Sequence, residues 1–281
     1  MASGLEKIRG SRRLGWRWAI MLYLRLFREF LRACFVEEIE YRVNFIGNFL
    51  MTVLQLGLAI FMANIFFFRT NEIAGWRYEE VLMLLGVFNA IHGFIEMVLQ
   101  PNMARLVQHI RKGTLDFVLL KPVDSQFYVS FRHMVFWKII DILLGFVLIG
   151  YSFMLLGEWP TLVQIVTFAL LFFAALCLVY ALWMLLMTFS FWAVKVDNLS
   201  YLFMSFFDTA RFPVTVYKGF LRIVLMYIFP IGFITTLPAS ALRGSVQWEQ
   251  IMVAMFVSLI FLTLTRWLWR QALKSYTSAS S

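Results

Sequence analysis

The stretch Val43–Phe68, VNFIGNFLMTVLQLGLAIFMANIFFF, runs for 26 residues without a charged side chain. About 20 apolar residues carry a helix across a bilayer, so this run predicts a membrane span. The rest of the chain agrees. Of its 281 residues 62% are hydrophobic and only 15% charged, and the mean hydropathy is +0.78. A soluble domain is nearer half apolar and a quarter charged, and its surface must stay polar. Disorder, a collagen-like chain and a soluble nucleic-acid-binding domain are excluded. An integral membrane protein remains.

Working outward from that run, an all-α integral membrane fold of about six transmembrane helices is expected. Spans are read at about 44–68, 81–100, 135–156, 161–192, 196–212 and 250–268, within one transmembrane domain at 44–270. Residues 1–43 form a charged leader without a small-residue cleavage site, so no cleavable signal is expected. Within the leader Ile20, Leu24, Phe27, Leu31 and Phe35 recur at helical spacing, with Arg25, Arg28 and Arg32 on another face. That pattern suits an amphipathic helix lying in the headgroup region, or one binding a cytosolic partner. Residues 271–281 are a Ser-rich tail.

One region has two readings. Asn198–Phe212 is apolar but short and contains Asp208; Ile223–Leu242 has span length but is broken by Pro230 and Pro238. Either the first crosses and the second is a re-entrant hairpin, or the first lies at the interface and the second crosses. With the hairpin, 19 Lys and Arg fall on the side of the termini, against Arg69, Arg77, Arg211, Lys218, Arg222 and Arg243 opposite. Positive residues favour the inside, so both termini are expected in the cytosol of a cell (inner or plasma) membrane protein. The interfacial alternative would improve that asymmetry. The net charge of +9 is absorbed by the same bias, and no nucleic-acid partner is expected. Cys34 and Cys177 make no metal or redox spacing and read as packing residues.

No GxxxxGK[ST], HExxH, GxSxG or GxGxxG is present, so no catalytic residue, metal or resident cofactor is expected on this chain. Four polar features remain. Asn89, His92, Glu96 and Gln100 share one side of the second span; ionisable groups at that depth face protein or water. They suit a substrate path or proton relay, or else hydrogen bonding between helices. Lys138 and Asp141 are spaced to pair along one helix face. The polar segment at 101–132 holds Arg105, His109, Arg111, Lys112, Gly113, Leu115, Asp116, Lys121 and Pro122. It could dock a soluble partner or lie on headgroups. Phe212, Pro213, Gly219, Pro230 and Pro238 mark irregular backbone, tolerated at depth only inside protein or along a cavity.

These residues resemble the permease subunits of ABC transporters of the second exporter type, especially a small branch of about this length. Glu40-Tyr41-Arg42-Val43-Asn44-Phe45 is similar to the entry to that branch's first span. Gly113-x-Leu115-Asp116 with Leu120-Lys121-Pro122 resembles its G-x-L-D…L-x-[KR]-P loop. Phe212-Pro213, Gly219-Phe220-Leu221, Pro230 and Pro238 resemble its F-x-P…W-L…N-P-L pattern, with Pro213 directly after Phe212, Phe220 for the tryptophan and Phe229 for the asparagine. The resemblance implies six spans, an N-terminal interfacial connecting helix and an outer re-entrant hairpin at 220–242. It also implies that the segment from Arg105 to Pro122 couples to cytosolic nucleotide-binding ATPase subunits, where ATP and Mg would bind, and that a second permease, identical or related, packs alongside among membrane lipids. Two competing readings stand beside it. One is a proton-coupled secondary transporter with His92 and Glu96 as relay; the other is an intramembrane enzyme acting on lipid-linked substrate, with Glu96 or Asp141 as base.

Overall fold

The computed structural model describes residues 16–39, 42–192 and 197–276. The leader before Trp16, Glu40, Tyr41, Lys195, the side chains from Arg42 to Phe45, and the tail beyond Tyr276 lie outside the described residues. Twelve α-helices run through the described chain: α1 (Trp16–Ile39), α2 (Arg42–Phe67), α3 (Tyr78–Phe94), α4 (Gln100–Arg111), α5 (Asp116–Leu119), α6 (Ser125–Phe131), α7 (Ile139–Leu156), α8 (Leu162–Thr188), α9 (Asp197–Asp208), α10 (Gly219–Ile223), α11 (Leu237–Leu242) and α12 (Trp248–Ser275). Five stretches are long and apolar enough to cross a membrane: Ile46–Phe67, Tyr78–Arg111, Phe136–Leu156, Leu162–Phe191 and Trp248–Ser275. The pair Gly219–Ile228 and Gly232–Leu242, bent by 70°, would be a sixth if counted as one span.

Two helix pairs form the framework. In the first, α3 and α7 are in backbone contact and antiparallel. A Cβ on Gly145 would lie 2.5 Å from the Gly86 carbonyl oxygen and 2.7 Å from the Ala90 nitrogen, and one on Gly93 would lie 2.9 Å from the Ile142 nitrogen. Small residues let apolar helices approach where no hydrophobic force between them exists. In the second, Ser258 Oγ donates to the Ala174 carbonyl and Thr265 Oγ1 to that of Ala181, each at 3.0 Å. Both steps are seven residues in the same sense, so α8 and α12 are parallel. Between parallel neighbours the chain must return across the bundle an odd number of times.

The short helix α9 makes that return. Below it, the Phe191 ring meets Trp269 and Tyr276 at 5.5 and 6.0 Å, on the lower face beside α6. Above it, Thr215 Oγ1 donates to the Ala74 carbonyl at 3.3 Å, in the loop joining α2 to α3 on the upper face. Its 12 residues and the following 3-10 turn, Thr209–Arg211, reach about 24 Å, short of a full-length span. The bent pair starts four residues after Thr215 and ends just before Arg243, whose guanidinium donates to the Gly75 carbonyl at 3.3 Å. The residues flanking the pair thus both reach the loop joining α2 to α3. Inside, Thr235 Oγ1 donates to the Ala210 carbonyl at 3.0 Å and Thr236 Oγ1 accepts from the Val214 N–H at 3.1 Å. Hydroxyls thus satisfy backbone groups that the irregular helix leaves open.

Pro101 was expected to open a polar segment after the second span, but the helix continues through it to Arg111. A π turn, Ile95–Leu99, precedes the proline. The Met97 carbonyl, which loses its i+4 donor to Pro101, accepts the Val135 N–H at 3.0 Å instead. With that acceptor satisfied, the proline has no reason to end the helix.

Candidate coupling face and charge cluster

The lower face is built by α4, α5 and α6 with α1 laid along them. Gly113 (φ +65°) stops α4 in the left-handed region, and His109 Nδ1 lies 2.8 Å from Thr114 Oγ1 across that stop. Leu115 is buried, Asp116 opens α5, and Lys121 Nζ sits 4.8 Å over the Tyr128 ring. Those residues build the turn. The surface it presents is apolar with basic neighbours: Phe117 and Leu120 are 70% and 81% exposed, beside exposed Lys112 and Lys121. Sequence reasoning named the basic residues and held Leu120 only as part of the loop motif, and it missed Phe117.

Two sets of hydrogen bonds join this face to the spans. Asn102, buried at the start of α4, donates through Nδ2 to the Val98 and His133 carbonyls at 2.6 Å, and its Oδ1 accepts the His133 N–H at 2.9 Å. Arg105 lies against the His133 ring. Burial, then Arg105, Arg132 and His109, lower the His133 pKa from its ordinary value to about 4. In the second set, Arg266 on α12 donates to Asp124 Oδ1 at 3.1 Å, Asp124 Oδ2 at 2.5 Å and Gln126 Oε1 at 2.9 Å. Tyr180 on α8 bonds Gln126 and Ser130 at 3.1 and 3.0 Å. Partial burial pushes the Asp124 carboxyl up, but the Arg266 and Phe127 N–H hydrogen bonds outweigh it and hold the group below its ordinary value. Arg266 lay in plain view within the last apolar run, and a cation there signals a partner.

Helix α1 docks on α6 through Tyr23, Phe27 and Phe30, with Cys34 bonded to the Arg132 carbonyl just beyond. Of the expected stripe Phe27 lies in this contact and Phe35 meets Phe136 at 5.9 Å, Leu24 stays exposed, and the Ile20 side chain lies outside the described residues. Tyr23 Oη accepts the Asp124 N–H at 3.1 Å, and the Glu38 carboxylate accepts the Phe136 N–H at 2.8 Å. Burial pushes the Glu38 carboxyl above its ordinary value, against the pull of that N–H and the one beside it.

Nearer the middle of the bundle, His92 of α3 and Glu96 of the π turn after it meet Lys138 and Asp141 at the start of α7. The Lys138 ammonium contacts Glu96 Oε2 and lies 3.2 Å from Asp141 Oδ2. Asp141 also accepts from Thr52 of α2 at 2.8 Å, Asn89 donates to its backbone carbonyl at 2.6 Å, and His92 Nδ1 is 3.9 Å from Glu96. Five of the six residues singled out in the spans thus converge, while Gln100 is exposed a turn beyond. Thr52 had not been singled out. Donor atoms of His92, Glu96 and Asp141 fall within 4.8 Å of one another, a spacing that could hold a metal ion. Lys138 brings its own cation to both carboxylates. Phe212, Pro213, Gly219, Pro230 and Pro238 all fall in or beside the bent pair, with Gly219 at φ +59°.

Among the described residues the chain is a multi-pass helical bundle with one organised face joined to several spans. The model of the family described as ABC-2 family transporter protein matches residues 53–280. The chain belongs to that family. No curated protein and no solved structure matches it. As an ABC-2 permease the chain is a membrane component of an ABC transporter.

Proposed function

We propose that this ABC-2 permease forms the substrate pathway of an exporter driven by separate cytosolic ATPase subunits, with two permeases side by side. The lower face is then cytosolic, both termini lie there, and ATP and Mg bind on the partner. One observation carries the reading. The segment from Arg105 to Pro122 presents exposed Phe117 and Leu120 among basic residues, while its two flanks are fastened to different spans, α4 running on from α3 and α6 bonded to α8 and α12. A partner gripping that tip would move two helix pairs at once. In this reading the bent pair is an outer re-entrant hairpin, supported by flanking Thr215 and Arg243 meeting Ala74 and Gly75.

The test is capture of the cognate ATPase by the membrane-reconstituted permease. Leu120→Glu and Phe117→Glu are expected to abolish capture and ATP-driven transport while leaving the permease folded. Unchanged assembly and transport in both variants would remove the coupling assignment. For the hairpin, Ser240→Cys is expected to react with an impermeant reagent from outside; reaction only from the cytosol would overturn it.

A further inference from the structure

On the upper face a cleft of about 440 Å³ opens between the end of α2 and the start of α3, lined by Asn64, Phe67, Thr70, Asn71, Arg77, Tyr78 and Glu79. Its wall is preformed. The turn holding Ala74 (φ 52°) and Gly75 (φ 81°) is closed by paired Ile73 and Trp76 backbones at 3.0 Å. Trp76 is buried under Arg243, whose guanidinium stacks 4.4 Å from its ring. The cleft's cation, Arg77, has one long ion pair and a largely open guanidinium. Glu80 is held closer by Arg243, at 2.9 Å, than by Arg77, at 3.8 Å, and the Arg77 side chain is 58% exposed. Glu79 brings a carboxylate to the same cleft, and Asn64 and Asn71 bring neutral donors and acceptors. Beside the cleft, Met62, Ile65, Phe66 and Phe68 are exposed along α2.

We propose that this cleft binds the headgroup of a zwitterionic phospholipid, with the phosphate on Arg77 and the amide groups, the ammonium on Glu79, and the acyl chains along α2. A cation and an anion in one polar cleft match a headgroup carrying both charges. The apolar flank matches the tails, which a free phosphate lacks. The assignment rests on the membrane placement proposed above, with this loop at the outer boundary.

The experiment uses the full chain in phosphatidylglycerol nanodiscs with increasing phosphatidylethanolamine, reading the thermal unfolding midpoint. Phosphatidylethanolamine is expected to raise the midpoint. Arg77→Gln and Glu79→Gln should each raise the lipid fraction needed by about five- to tenfold, the scale of one charge-assisted hydrogen bond. Asn71→Leu, a milder change at the exposed rim, should weaken the response in the same direction. Equal midpoints in the two lipids, or variants that respond like the parent, would overturn the proposal. So would inorganic phosphate reproducing the effect, which would mark a free-anion site. Asn71→Cys labelling by an impermeant reagent separates the two readings. Labelling from the cytosolic side alone refutes the membrane placement, while outside labelling without lipid preference refutes only the headgroup site.

Discussion

Replacing Lys138 with Met keeps the side chain's length and removes the cation shared by Glu96 and Asp141. The Lys138, Glu96 and Asp141 side chains are 15%, 21% and 4% exposed, so little water reaches them. Breaking one partner out of a buried pair costs about 3–5 kcal/mol, because the remaining charge stays desolvated and unpaired. Here two carboxylates are left together, so a loss of about 3 kcal/mol or more is expected for Lys138→Met. Glu96→Gln added to it removes one of those charges, and the double variant should recover at least about 1 kcal/mol, within the usual range for coupled neighbours. Equilibrium unfolding in mixed micelles measures all three proteins. If Lys138→Met lies within about 0.5 kcal/mol of the parent, or the double variant is no more stable than the single, the cluster is not held together by this ammonium.

Two glycines on α7 give opposite signs. Gly145→Ala puts a methyl against the Gly86 carbonyl and should cost about 1–3 kcal/mol, whereas Gly150, with open space around it, should gain up to about 1 kcal/mol as Ala; unfolding midpoints check both. Asn102→Leu leaves the His133 N–H without its acceptor at a cost of about 1–3 kcal/mol, and hydrogen exchange should accelerate at residue 133. Acid should weaken the fold through His133: the unfolded chain takes up the proton below about 6.5, the folded one only near 4, so stability falls as pH drops through that window. His133→Gln should flatten the thermal midpoint there. Asp124 acts lower: its Arg266 bond contributes above the ordinary carboxylate value and is lost as pH falls beneath it, so Asp124→Asn should remove the acid loss below about pH 4.

Much of the fold was legible because membrane spans obey a length rule that Val43–Phe68 satisfies outright. What escaped had physical reasons. Pro101 usually ends a helix, and only the distant Val135 N–H, placed by the third span, cancels that tendency. Helix α9 is too short for the length rule, and only the contacts of Phe191 before it and Thr215 after it tie its two sides to opposite faces of the bundle. On α1 the apolar stripe read from spacing supplies Phe27 to the docking face, yet the aromatic residues of α6 opposite also recruit Tyr23 and Phe30 from beside it, while Leu24 stays exposed. In the charge cluster, helical spacing placed His92 and Glu96 on one face and paired Lys138 with Asp141. No local pattern joins the two helices; the glycines at 86, 93 and 145 do that.

The proposed coupling needs somewhere for the bundle to yield, and the contacts suggest where. Within each framework pair the bonds are directional or sterically tight: Gly86 against Gly145 in one, Ser258 and Thr265 hydroxyls in the other. Shifting either pair internally by an ångström breaks hydrogen bonds or forces overlap. Part of the link between the pairs runs instead through α9, as a column of rings: Trp183 on Phe203 at 4.5 Å, Phe203 parallel to Phe207, and Phe207 on Phe88 of α3 at 5.0 Å. Ring contacts of this kind are non-directional enough to keep most of their attraction through an offset. A push at Phe117 and Leu120 would then be resisted inside each pair and accommodated between them. Phe203→Asn, which replaces a sliding ring with a group seeking fixed hydrogen bonds, should depress ATP-driven transport while leaving ATPase capture intact. If transport is unchanged, the two pairs do not slide along this column.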